Sequence, residues 1–285
     1  MSYRWWSSCR TTAGIRRSIN EDAYLNLDAI GLWVVADGMG GHARGDVASS
    51  IVIDAVRDMG KCRSMDDFVM EVRRRLNWAN RIMREEALHA GSGLVMGSTV
   101  VALLVYKREW RCLWAGDSRA YLLRDGQLAQ ITHDHSVTQE MIDSGQLSAA
   151  EAASHPAANR ITRAVGAQPH LLLEEFNGVL RDGDTILLCS DGLTKEVDDD
   201  ELASVLDNFD CEEASRELVD LTLERGARDN VTVAVIQFEA TTGFSERKPD
   251  DTVVNYGLTA NSRQTAARRP VNARAAGMGP QAGGV

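Results

Sequence analysis

Gly31 to Gly41 reads GLWVVADGMGG, an apolar run that ends in an acid followed by glycines. Leu32 to Ala36 are five consecutive apolar residues, the pattern of a strand buried on both faces rather than one with a wet face. A carboxylate at the end of such a strand, Asp37, is held rigidly. Gly38, Gly40 and Gly41 lack a Cβ, so the backbone there can take unusual φ/ψ values and bring its own carbonyls and amides close to a ligand. A rigid carboxylate beside an accessible carbonyl suits a hard cation. An isolated D-G pair is ordinarily a turn, but here the arrangement repeats. TILLCSDG ends in Asp191 and Gly192, CLWAGDS carries Asp117, and Asp229 in ARDN precedes the strand-like VTVAVIQF. Several buried carboxylates gathered at one end of a sheet do not stay ionised together without cations between them, so metal binding is the economical expectation.

The rest of the composition narrows the class. With 285 residues and 44% hydrophobic content the chain can bury a substantial core. Its net charge of −10 argues against a nucleic-acid backbone as partner. The five cysteines, Cys9, Cys62, Cys112, Cys189 and Cys211, form no CxxC pair and point to neither a disulfide framework nor a zinc site. The N-terminus MSYRWWSSCR has no long apolar segment, and no run approaches the length of a membrane span, so the reading is a cytoplasmic protein without membrane contact.

In chain order, a first strand is expected around Tyr3 to Arg10 and a second after the polar stretch GIRRSINEDAYLNL. Ala43 to Met59 shows Val47, Ile51, Val52, Ala55 and Val56 at helical spacing. Ser64 to Ala90 forms a second helix with Phe68, Val72, Leu76, Ala79 and Met83 on its apolar face. Both are expected to form one layer on a sheet. Three closely spaced strands follow through GSTVVALLVYKREW and RCLWAGDSRAYLLRDGQLAQIT, with a turn between Tyr106 and Trp110 and a hairpin at Asp125-Gly126, so antiparallel pairing is predicted. The two histidines of THDHS (Thr132 to Ser136) read as solvated or hydrogen-bonding groups. Short helices are predicted over Ser136 to Ser144 and Ser148 to Ser154, strands over Leu171 to Phe176 and Thr185 to Ser190, helices over Asp200 to Leu206 and Glu212 to Glu224, and a last strand over Val231 to Glu239. From about Thr241 the composition loses periodicity, so residues 241–285 read as a disordered tail and 1–240 as the folded domain. Six basic residues against three acids give the tail a net +3, which leaves −13 of the chain's −10 on the remainder.

Taken together, RxxNED (Arg17 to Asp22), DGMGG (Asp37 to Gly41), GxxAS (Gly45 to Ser49), GST (Gly97 to Thr99), GDSRAY (Gly116 to Tyr121), THDHS, ITRAVG (Ile161 to Gly166), SDGL (Ser190 to Leu193) and DNVTV (Asp229 to Val233) resemble the metal-dependent serine/threonine protein phosphatases of the type 2C class, in particular their bacterial branch. Each motif alone is weak; all of them in order, from Gly14 to Phe238, are specific. The resemblance implies an α+β fold, a four-layer α-β-β-α sandwich of two antiparallel sheets flanked by helices, with metals at one end between the sheets.

By position, the resemblance makes Asp37 the carboxylate bridging two Mn²⁺ or Mg²⁺ ions, with the Gly38 carbonyl on one and Asp191 and Asp229 on the other. Glu21 and Asp22 orient waters around them. Arg17 holds the substrate phosphate through its planar fork, and Asp117 serves a third, weaker ion. Two cations neutralise the phosphomonoester and lower the pKa of a water that attacks phosphorus without a phosphoenzyme. Eukaryotic members place a histidine after the D-G pair; this chain has Met39, so proton donation to the leaving group falls to water or to His42. Ile142 to Asn159 stands where the family has a variable flap, and its Ala/Ser composition predicts a mobile segment that meets phosphoproteins beyond the phosphate. The expected enzyme is a monomer opposing a Hanks-type kinase, with that kinase or a forkhead-associated protein as substrate. The alternative is a non-catalytic, partner-binding relative; such domains usually lose a metal acid, and none of Asp37, Asp191 and Asp229 is lost here. Neither a DxDxDG calcium loop nor a GxxxxGK[ST] phosphate loop is present.

Overall fold

The computed structural model describes residues 2–40, 44–89, 96–152, 155–158 and 160–241. Gly41, His42, residues 153, 154 and 159 of the expected flap, and the tail beyond Thr241 lie outside them.

Two antiparallel sheets form the centre. The first runs β1 (Tyr3–Thr12), β11 (Val231–Ala240), β10 (Thr185–Cys189), β7 (Arg119–Arg124), β8 (Gln127–Gln130). The second runs β2 (Asp22–Leu27), β3 (Leu32–Gly40), β5 (Val100–Tyr106), β6 (Glu109–Ala115), β9 (Glu174–Val179), with the short β4 (Met96–Ser98) added to the end of β3. Helices α1 (Gly45–Arg57) and α2 (Met65–His89) cover the outer face of the second sheet. On the outer face of the first lie α5 (Asp191–Thr194), α6 (Asp199–Asn208) and α7 (Cys211–Glu224). The remaining helices, α3 (Val137–Asp143) and α4 (Ala149–Ala152), precede β9. The four-layer sandwich is therefore as expected, and no described helix is long and apolar enough to cross a membrane.

The period of two along each strand explains the layers. In β3, Leu32, Val34 and Ala36 pack on the α1–α2 layer, while Trp33 and Val35 enter the space between the sheets. In β10, Leu187 and Cys189 face α6 and α7, whereas Ile186 and Leu188 join the inter-sheet core. Both strands are buried on two faces, which is why they read as unbroken apolar runs. The inter-sheet layer is anchored by Trp33, whose ring meets Trp5 and Phe238 edge-to-face at 6.0 and 6.4 Å.

Three expectations change. The strands around residues 100–130 do not form one meander: β5 and β6 pair, β7 and β8 pair, but the chain crosses from one sheet to the other between β6 and β7. The strand predicted over Leu171 to Phe176 is β9, three residues later; Leu171 and Leu173 instead pack against the α1–α2 core, and apolarity alone did not separate the two roles. Val47, placed on the apolar face of α1, is 43% exposed. The hairpin at Asp125-Gly126 holds, with φ values of 51° and 73° that fit a two-residue turn of type I′.

Candidate metal centre

Asp22 and Asp37 are directly opposed across β2 and β3. They share the face of Tyr24, Val35 and Trp33, so both carboxyls look into the gap between the sheets. Like charges in direct cross-strand register repel, and burial adds to this. Asp37 is held well above the usual carboxylate range by burial first, then by Asp22, Asp191, Asp117 and Asp229. Burial also pushes Asp22 up to about 7, although two hydroxyls donate to it and pull it back.

Those hydroxyls come from the other sheet. Ser190 Oγ and Thr232 Oγ1 donate to Asp22 Oδ2 at 2.7 and 2.8 Å, tying the sheets together at the mouth of the sandwich. Asp22 Oδ1 is buried without a partner, as is Asp191 Oδ1. Buried carboxylate oxygens without donors are costly, and an all-oxygen set of this kind fits a hard divalent cation. The residues present therefore fit the metals that the resemblance implies. Among the described residues, however, no three acidic, histidine or cysteine groups close into a ready cage. Two basic side chains stand among them instead. Lys195 Nζ lies 2.6 Å from Asp191 Oδ2 and 3.0 Å from Asp229 Oδ2, and Arg17 lies 2.9 Å from Asp229 Oδ1.

Local geometry holds each acid in place. Asp37 N–H donates to Thr99 Oγ1, and the Asp37 carbonyl accepts from Thr99 N–H and Ser98 Oγ–H, which gives the GST stretch its task. The glycines after the acids answer to crowding rather than to unusual φ. Neither Gly38 nor Gly192 has a positive φ, but a Cβ on Gly38 would lie 1.9 Å from the Gly45 carbonyl oxygen, and one on Gly192 would lie 1.9 Å from that of Asn230. At both D-G pairs the missing Cβ thus serves close approach of backbone to backbone rather than an unusual φ. Glu21 accepts from Gly45 N–H at 3.1 Å and caps α1, which has no cap from its own Arg44. Asp117 sits on the crossover from β6 to β7, is pushed up to about 7 chiefly by burial, and follows Gly116, whose φ is 116°. His135 pins that crossover: its Nδ1 accepts from Gly116 N–H at 3.1 Å and its backbone N–H donates to the Gly116 carbonyl. It is 5% exposed, so of the two readings for the histidines the hydrogen-bonding one holds for His135.

A cavity of about 730 Å³ opens over the acids, lined by Asp117, Asp191, Asp229, Arg17, Lys195 and Arg228 on one side and by Ile142, Ala149, Ala152, His155 and Ala158 on the other. The structure thus brings Arg17, Asp117, Asp191 and Asp229 to one cavity, places Asp22 and Asp37 against them, and sets Glu21 and Gly38 behind at the start of α1. The sequence reading gave no role to Ser190, Thr232, Asn230 or Lys195. The first three stand inside motifs already quoted. Lys195 had one signal, its spacing of four residues from Asp191 on a helix.

A protein phosphatase 2C family model matches residues 14–230. The chain belongs to the protein phosphatase 2C family. Across 231 residues it is 36% identical to the serine/threonine protein phosphatase PstP of Mycobacterium tuberculosis, an alignment that covers 80% of this chain and 44% of PstP. It is 44% identical to PppA, described as a key regulatory component of T6SS in Pseudomonas aeruginosa, with a TM-score of 0.76, covering 84% of this chain and 98% of PppA. The PstP catalytic domain in complex with two manganese ions superposes with a TM-score of 0.73 at 32% identity over 84% of this chain and all of that one. Asp37, Asp191 and Asp229 all lie within the residues that this protein phosphatase 2C family model matches.

Proposed function

We propose that the chain is a metal-dependent phosphoprotein phosphatase that hydrolyses phosphoserine and phosphothreonine without a phosphoenzyme. The observation that carries this is the facing of Asp22 and Asp37 from one sheet onto Asp191 and Asp229, which flank the strand ends of the other, with two buried carboxylate oxygens left unpaired. Two Mn²⁺ or Mg²⁺ ions, when bound, neutralise the phosphate dianion and supply an activated water. Asp37, the Gly38 carbonyl, Asp191 and Asp229 are the groups that hold them, and Asp117 is the group for a third. Asp22 Oδ2 is held by Ser190 and Thr232, which leaves Oδ1 as the oxygen that would orient a water at the centre. Arg17 is 49% exposed at the cavity edge and exchanges Asp229 for the substrate phosphate, its fork matching two phosphate oxygens.

The partners follow from the class. A phosphorylated Hanks-type kinase or a forkhead-associated protein is the substrate we propose, met in the cytoplasm by a single copy of this chain, and the 44% identity to PppA supports a role in regulating a secretion system. The test is turnover of a chromogenic phosphate ester. We expect activity with added Mn²⁺ or Mg²⁺, none in EDTA, and none for Asp37→Asn, which keeps the volume and removes the charge. Full turnover by metal-stripped protein would end the proposal.

A further inference from the structure

Lys195 lies outside every motif quoted above, yet it bridges two acids of the centre and makes the shortest contact there. Asp191 is the first residue of α5 and Asp229 comes from the loop ahead of β11, and a single ammonium bridges the two at 2.6 and 3.0 Å. The remaining oxygen of Asp229 is shared by Arg17 and by Asn230 N–H. Asp191 Oδ1 has no partner at all.

We propose that Lys195 is an internal counter-ion, a positioning residue that holds Asp191 and Asp229 together in the metal-free protein and must be displaced before those acids share a divalent ion. An ammonium and a divalent ion compete for the same carboxylate oxygens and repel each other. The ammonium has somewhere to go: Lys195 is 30% exposed and lines the 730 Å³ cavity, and its four-carbon stem is flexible. Two consequences follow. The metal-free fold is relieved of the repulsion between two buried acids, and the ion that these acids take is bound more weakly than the acids alone would bind it.

The inference rests on the metal-centre reading, and the experiment separates the two. Mn²⁺ is titrated calorimetrically into metal-free wild type, Lys195→Met and Lys195→Arg. Loss of a charge-assisted competitor predicts that Lys195→Met binds its weaker Mn²⁺ about tenfold or more tightly, and that Lys195→Arg, which keeps the charge, stays within about threefold of wild type. Metal-free Lys195→Met should also melt below wild type, with the gap closing in saturating Mn²⁺. A purely structural lysine would lower the melting temperature without tightening the ion. Equal or weaker Mn²⁺ binding by Lys195→Met overturns the proposal. If metal-free Lys195→Met does not fold, both proteins are prepared with Mn²⁺ and stripped with EDTA; a higher EDTA concentration at half-loss for the variant supports the proposal, and an equal or lower one overturns it. Wild type that binds no Mn²⁺ would sink the metal centre itself.

Discussion

Gly192→Ala adds one methyl group at a point where the two halves of the centre touch. A Cβ there would lie 1.9 Å from the Asn230 carbonyl oxygen, where ordinary contact begins at 3.4 Å, so 1.5 Å must be absorbed. The obstacle is backbone, which no rotamer change relieves. Asn230 is also a hub: its side chain accepts from Glu21 N–H at 2.9 Å and donates to the carbonyls of Ala13 and Ile19 at 3.0 Å each. Pushing it outward therefore moves Asp229, next in the chain, away from Asp191 and shifts the loop that carries Arg17. Overpacking of this kind costs about 1–3 kcal/mol, which for a domain of this size lowers Tm by roughly 2–12 °C. A displacement of about 1 Å at a reacting centre costs on the order of a hundredfold in rate. We expect kcat/KM for a chromogenic phosphate ester in saturating Mn²⁺ to fall by about that factor, with the Tm loss measured on the same sample. Gly60→Ala is the control, since a Cβ at Gly60 meets nothing within 4 Å and its φ is not positive. Wild-type kcat/KM for Gly192→Ala would refute the idea that the glycine sets the spacing of the acids.

Arg17→Ala should lower kcat/KM by about tenfold to a hundredfold through loss of a charged hydrogen bond to the phosphate; if calorimetry shows Mn²⁺ affinity collapsing instead, Arg17 serves Asp229 and not the substrate. Asp184→Asn should cost about 3 kcal/mol in urea unfolding while sparing turnover by the Mn²⁺-loaded enzyme. Asp184 is 1% exposed and takes both arms of Arg124 at 2.7 and 2.6 Å, so removing its charge strands a guanidinium; a loss below about 1 kcal/mol would contradict this. Replacing Ser148 to Ser154 with a Gly/Ser linker should leave a small aryl phosphate turned over within a few-fold and impair a phosphoprotein much more, because only the larger substrate reaches past the phosphate. Equal losses on both would assign the segment to support of the metal centre.

Much of the fold was legible in the chain because burial on two faces writes itself as an unbroken apolar run, as in Leu32 to Ala36 and Thr185 to Cys189, and helix faces write themselves as a period near 3.6, as in Phe68 to Met83. The acids at the ends of those runs were legible for the same reason. What the chain could not show was which sheet each strand joins. Pairing of β6 with β7 satisfies local patterning as well as the observed crossover does, and only the packing of Trp110 and Trp114 into the inter-sheet core alongside β7, β10 and β11 decides between them. That crossover places Asp117 at the mouth. The glycines after the acids were seen, but their reason was not, since the 1.9 Å clash that a Cβ on Gly192 would make with the Asn230 carbonyl oxygen joins residues 38 positions apart. Lys195 and the hydroxyls of Ser190 and Thr232 were given no role at the site for a related cause. Lysine, serine and threonine are ordinary surface types, and they acquire a role only when two sheets close and leave buried carboxylate oxygens that need a donor.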